Sequence, residues 1–213
     1  MKNILISLFD HSGNHSKPYK DAGWIVLQID IKHNTDILTW DYKTILKGIE
    51  DMYIKKEKLN IGIIAMPPCT DYALSGARHF ALKDIDGRTQ QSQKLVAKTK
   101  EIIDYVKGNY NLLFWQLENP MSRIHTLNPW LGKPFMKFNP CDYAGYAPDP
   151  DKDRYNKATW LWGEFNIPDK KRLEPHYKEN PGWRNLGGKS EQTKELRSVT
   201  PSGFCQAFYE ANH

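Results

Sequence analysis

Cysteine is scarce and scattered: Cys69, Cys141 and Cys205 are the only three in 213 residues, and no two form a CxxC pair. A disulfide framework and a zinc site are therefore not expected, and a reducing compartment is. His11 and His15 stand four apart, but no Glu lies between them and Ser and Gly surround them, so no metal is expected. No apolar run approaches the roughly 20 residues of a membrane span, and "MKNILISLFDHSG" turns polar too early for a signal peptide. The reading is a soluble, cytoplasmic chain with no membrane partner. Repeats and low-complexity tracts are also missing, which argues against a solenoid or a disordered chain. Charge of one sign is not dominant: 30 Lys and Arg against 25 Asp and Glu give a net +5. That balance is compatible with a polyanionic partner and does not require one.

What is present is an alternation of apolar runs and helical patterns. "NILISLFD" (3–10), "WIVLQIDI" (24–31), "IGIIAM" (61–66), "NLLFWQLEN" (111–119) and "ATWLWG" (158–163) read as strands. Between them, 16–23 reads as a short helix closed by Gly23, and 41–58 places Ile45, Leu46, Ile49, Met52 and Tyr53 on one face. Residues 89–107 carry Leu95, Thr99, Ile102, Ile103 and Val106 at helical spacing, and 201–212 form a terminal helix. The order implies one α/β domain over 1–213, with a mostly parallel central sheet and helices on both faces. Residues 121–157 and 164–200 read as loops and short elements around that sheet.

In an open parallel sheet, ligands bind at the carboxyl ends of the strands where strand order reverses. Those ends carry Phe9 and Asp10 before Ser12-Gly13-Asn14, then Asp30, then Cys69, then Glu118 and Asn119. A small-residue turn followed by an acidic strand end suits a nucleoside; a tight β–α turn without a ligand fits that feature equally. Cys69 follows two prolines that fix the strand exit. A thiolate there is a carbon nucleophile, and Glu118 on a neighbouring strand end is a proton donor for a ring nitrogen. The plain alternative is an inert cysteine beside an Asx-Pro turn.

Taken in order, these segments resemble the C5-cytosine DNA methyltransferase superfamily, and most closely a short branch found in phage and bacterial genomes. "LFDHSGNHSKPYKDAGWIVLQIDI" is similar to the first cofactor motif and second strand, and "PPCTDYALSGARH" resembles the Pro-Cys nucleophile loop. "DGRTQQSQKLV", "LENP" and "GGKSEQTKELRSVTPSGFCQAF" resemble the Arg-containing, Glu-Asn and terminal motifs. The resemblance implies a Rossmann-like, S-adenosylmethionine-dependent methyltransferase fold, a host-cell or bacterial cytoplasmic location and a monomer acting on DNA that contains cytosine. Cys69 would add to C6 of a flipped cytosine while Glu118 bonds N3 and the exocyclic amine, and Asn119 would shape that strand end. For the cofactor, Phe9 would pack on adenine, Asp30 would take the ribose hydroxyls and Asp36 would contact the adenine amine. Asp10, Ser12 and Gly13 in the first turn, with Pro67 and Ser202, would complete that pocket. On the substrate side, Ser75, Arg78 and His79 would close over the base. Arg88 would touch a phosphate or substrate oxygen, or would cap its own helix.

Three departures stand out. "FDHSGNHS" replaces a Gly-rich first motif. "YNKATWLWG" replaces the family's paired arginines, leaving Lys157, with Thr159 or Arg154, as substitutes. A substrate-side insert at 164–198, about 35 residues long, replaces a recognition domain, before a terminal helix at 199–213 that returns to the cofactor side. In that insert Lys170, Lys171, Arg172, Trp183 and Arg184 would stack on bases and neutralise phosphates, or form a basic surface loop. Three functions follow: methyl transfer to cytosine C5 in DNA, the same chemistry on a single strand or free cytidine nucleotide, and non-catalytic binding of a nucleotide or nucleic acid.

Overall fold

The apolar runs become strands of one mixed sheet. In the computed structural model, which describes residues 2–53, 59–176 and 191–213, the strands are Asn3–Leu8 (β1), Ile25–Ile29 (β2), Asn60–Ala65 (β3), Asn111–Pro120 (β4), Met136–Phe138 (β5) and Thr159–Glu164 (β6). Their order is β2-β1-β3-β4-β6-β5. The four strands from β2 to β4 pair in parallel, while β6 runs antiparallel to both β4 and β5. A mostly parallel sheet is thus found only on one side. The connection differs there: between β5 and β6 the chain makes only short 3-10 turns, without the α-helix that usually carries a parallel crossover.

The helices are Lys17–Asp21 (α1), Tyr42–Tyr53 (α2), Phe80–Ile85 (α3), Arg88–Asn109 (α4), Ile124–Leu127 (α5), Glu191–Ser198 (α6) and Ser202–Ala211 (α7). Period-two alternation along the strands divides the core between the two faces of the sheet. Ile4, Ile6 and Leu8 of β1 join Ile61 and Ile63 of β3 in a cluster with Leu46 of α2 and Ile102 and Val106 of α4. Leu5 and Ile64 face the other way, toward Tyr19 of α1 and Phe204 and Phe208 of α7. Gly62 is required on that second face, because a Cβ there would lie 2.3 Å from Cζ of Phe114.

Two expected faces shift. On α2 the buried stripe is Tyr42, Leu46 and Ile49, whereas Met52 and Tyr53 are exposed and Ile45 lies at its rim. A helix covering one side of a sheet buries only a narrow stripe, so apolar residues flanking it remain in solvent. On α4 the first turns bury Thr89 and Ser92 ahead of Val96, Ile102 and Val106, because the hydroxyls have acidic partners beneath them. Helices α5 and α6 and strand β5 are short elements within segments read as loops, and α3 lies in a stretch where no element was expected. No helix among the described residues is long and apolar enough to cross a membrane.

Candidate active site

The chain moves outward from β1 to β2 and then crosses to β3 on the other side of β1. The reversal point therefore lies between β1 and β3, and the crevice outside their carboxyl ends is where a ligand is expected. The two exits are stitched together: Met66 N–H donates to the Leu8 carbonyl at 3.0 Å.

On the β1 side the backbone is unusual. Phe9 has φ +62°, a left-handed conformation that is a genuine outlier for a bulky side chain and is retained where surroundings over-determine it. Its N–H donates to the Ile29 carbonyl at 2.8 Å, and its half-buried ring packs on the α2/α4 core. Asp10 is buried and turned inward, accepting from Ser7 Oγ at 2.9 Å, Ser16 N–H at 3.1 Å and Ser12 Oγ at 3.4 Å. Gly13 closes the turn with φ +67° and donates its N–H to the Asp10 carbonyl at 3.1 Å. At the end of β2, Asp30 accepts from Lys32 N–H through Oδ1 at 2.8 Å; its second carboxylate oxygen has no hydrogen-bond donor among the described residues. Asp36 accepts from Leu38 N–H at 2.9 Å. His11 and His15 part company: His11 is exposed against His33, while His15 is buried edge-on to Phe204 and Phe208.

The β3 and β4 exits carry Cys69 and Glu118. Pro67 is buried and its carbonyl accepts from Asn119 Nδ2 at 3.1 Å, so the Glu-Asn strand end clamps the cysteine loop. Cys69 is exposed as a residue, yet protein crowds its thiol. Burial pushes the thiol up from its ordinary range, nearby Glu118 adds to this, and Lys157 and Arg197 oppose it. Glu118 is half-buried; burial raises its pKa and Lys157 opposes the rise. No side chain among the described residues hydrogen-bonds it. The structure thus brings Cys69, Glu118, Asn119 and Lys157 together. It adds Arg197, which sequence reasoning missed because α6 reaches the recess only through the tertiary fold.

Behind the cysteine the loop is held by a buried polar network. Lys83 Nζ pairs with Asp71 at 3.1 Å and bonds the Thr70 carbonyl, and Ser92 Oγ donates to Asp71 at 2.6 Å. Arg123, three residues after Pro120, donates twice to Asp84 at 2.7 and 2.9 Å and to the Asp71 carbonyl at 3.2 Å. That pairing and Thr89 draw the Asp84 carboxyl down to about 2. A "DGR" triplet and an "NPMSR" run do not disclose such a network, since its partners are up to 52 residues apart.

Other expected residues sit elsewhere. Ser75, Arg78 and His79 lie on an exposed 3-10 turn, Leu74–His79, where Arg78 Nε donates to His79 Nε2 at 3.0 Å. Arg88 is exposed and forked onto Asp86 at 2.5–3.0 Å, which is the helix-start alternative. The buried Thr159 hydroxyl donates to the Lys157 carbonyl at 3.0 Å, and Ser202 Oγ donates to Asp153 at 3.1 Å at the start of α7. The terminal segment does return to the β1 loop, through Asn14 Nδ2 to the Thr200 carbonyl at 2.7 Å. In the insert, Lys170 and Arg172 pair with Asp142, and Lys171 lies 3.8 Å over the Tyr146 ring. Trp183 and Arg184 lie outside the described residues.

No protein-family model matches the chain, and no curated protein matches it in sequence.

Proposed function

We propose that the chain is an S-adenosylmethionine-dependent methyltransferase acting on C5 of cytosine in DNA, with a Rossmann-like methyltransferase fold. The observation that carries this reading is the pairing of Cys69 and Glu118 at adjacent strand ends beside the reversal point. An inert cysteine needs no half-buried carboxyl at the adjacent strand end. The ordered motifs that resemble the cytosine-C5 methyltransferases support the same reading.

The residues of the β1–β2 side fit a nucleoside-bearing cofactor. Asp30 keeps one carboxylate oxygen for ribose hydroxyls, Phe9 offers a ring at the β1 exit, and the Ser12-Gly13 turn allows close approach. Asp10 shapes that turn from inside. When bound, S-adenosylmethionine supplies the electrophilic methyl group that C5 of the ring takes up. The chain's own residues do the rest. Cys69 Sγ, as thiolate, bonds to C6 while the Glu118 carboxyl passes its proton to N3, so the ring never carries a full negative charge. A raised pKa suits Glu118 to that donor role, because burial favours the protonated carboxyl. After methylation the C5 proton leaves to solvent base, the Sγ–C6 bond breaks with its electron pair returning to sulfur, and the N3 proton returns to Glu118. Asn119 keeps Cys69 in register through the Pro67 carbonyl.

The test has two parts. Calorimetric titration with S-adenosylmethionine and S-adenosylhomocysteine should show binding by wild type, Cys69→Ala and Glu118→Gln alike. Transfer of a labelled methyl group should vanish in Cys69→Ala and fall by about 10²–10⁴ in Glu118→Gln. Duplex, single-stranded DNA and dCMP are compared in the same assay, which identifies the substrate form. Transfer retained by Cys69→Ala would overturn the covalent mechanism; no cofactor binding by the folded chain would overturn the class and leave a binding protein.

A further inference from the structure

We propose that Arg197, carried on α6, is a charge-stabilising residue of the Cys69–Glu118 recess, acting with Lys157 to hold negative charge on the sulfur. The proposal deepens the methyl-transfer reading, and its test needs neither cofactor nor nucleic acid, so the two can fail separately.

The need is electrostatic. A thiol crowded by protein beside a half-buried carboxyl resists ionisation, because both burial and a neighbouring acid disfavour the anion. A nucleophile in that place requires fixed positive charge nearby. Two of the three substitutes that sequence offered do not provide it. Arg154 Nε donates to the Glu174 carbonyl at 2.9 Å and its Nη1 pairs with Asp151 at 3.3 Å, so its guanidinium is engaged there. Thr159 is uncharged, and its hydroxyl is turned to its own backbone.

Lys157 and Arg197 are placed differently. Thr159 faces Pro120 across the β4–β6 pairing, and Met121 N–H donates to the Ala158 carbonyl at 3.3 Å. Lys157 therefore stands just beyond the strand end that carries Glu118. Its Nζ donates to the Arg197 carbonyl at 2.9 Å, which fixes the end of α6 at the same place. The same turn of α6 is pinned near the β2 exit by Lys32–Glu195 at 2.6 Å, so the end of the helix lies between the Asp30 strand end and the Glu118 strand end. Both cations act on the thiol in the sense that favours its anion. The terminal segment thus supplies charge where the first four strands supply only the acid and the nucleophile.

The decisive measurement is the pH profile of Cys69 alkylation by iodoacetamide in the full chain, read from the mass of the Cys69 peptide, with buried Cys141 and Cys205 as internal references. Arg197→Met should move the profile to higher pH and slow alkylation near neutrality about three- to tenfold, the scale of one nearby charge close to a protein surface. Arg197→Lys should stay close to wild type, and Arg197→Glu should slow the reaction further than Arg197→Met. Lys157→Met should shift the profile in the same direction. A profile for Arg197→Met that overlays wild type overturns the proposal. So does Arg197→Lys behaving like Arg197→Met, which would mark a structural role for the side chain. Circular dichroism of each variant shows that the chains compared are folded.

Discussion

The loop after β1 and the loop after β3 start side by side on the same edge of the sheet, yet they use their polar groups in opposite ways. After β1, the buried Asp10 collects Ser7, Ser12 and Ser16 from its own neighbourhood, so its carboxylate is satisfied locally. After β3, the anchoring groups come from outside: Lys83 on α3, Ser92 on α4, Arg123 after β4 and Asn119 on β4. A loop that satisfies its own carboxylate makes a scaffold. A loop fastened from behind can leave the Cys69 side chain exposed at the strand exit.

The sharpest way to break this comparison is Lys83→Met. Removing one member of a buried pair leaves Asp71 charged without its counter-ion, and the expected cost is about 3–5 kcal/mol in urea unfolding. The double variant Lys83→Met with Asp71→Leu should recover much of that loss. If Lys83→Met is neutral, the β3 loop is not held from behind and the contrast with the β1 loop fails.

A second, smaller effect probes the β1 loop through pH. Burial draws the His15 pKa from 6.5 down to about 4, with Asp10 acting the other way. A depressed folded-state pKa means that the unfolded chain binds more protons between these values. The stability contributed by neutral His15 is therefore complete above about pH 6.5 and is lost as pH falls toward 4, at up to about 1.4 kcal/mol per pH unit. His15→Leu should flatten this part of the urea-midpoint profile; an identical slope in wild type and variant would show that the ring is not buried neutral.

The smallest expected effect belongs to Arg88. Its ion pair with Asp86 is exposed, so Arg88→Ala should leave the urea midpoint where it is. A clear loss of stability would place Arg88 in the anchoring network with Arg123.

Much of the scaffold is legible along the chain because it rests on local periodicity. The strands "NILISL" and "NIGIIA" are apolar on both sides, as strands covered by helices must be. The long α4 announces itself through residues 89–107, although its polar first turns make sense only once Asp84 and Asp71 are beneath them. The placement of Cys69, Glu118 and Asp30 was also legible, because strand ends are definable from sequence and these residues stand at or just past them. The surroundings were not. Nothing in "DGRTQQ" tells that Arg88 holds Asp86 while Thr89 holds Asp84, because adjacent helical residues point in different directions.

What sequence determined by itself, then, is the alternation of strands and helices and the identity of the groups at the strand ends, since both depend on neighbours within a few residues. Strand polarity beyond β4, the network behind Cys69 and the arrival of Arg197 were decided by tertiary structure alone. These depend on Coulomb and hydrogen-bond partners separated by tens to more than a hundred residues, and such contacts exist only after the sheet has brought its strand ends to one edge.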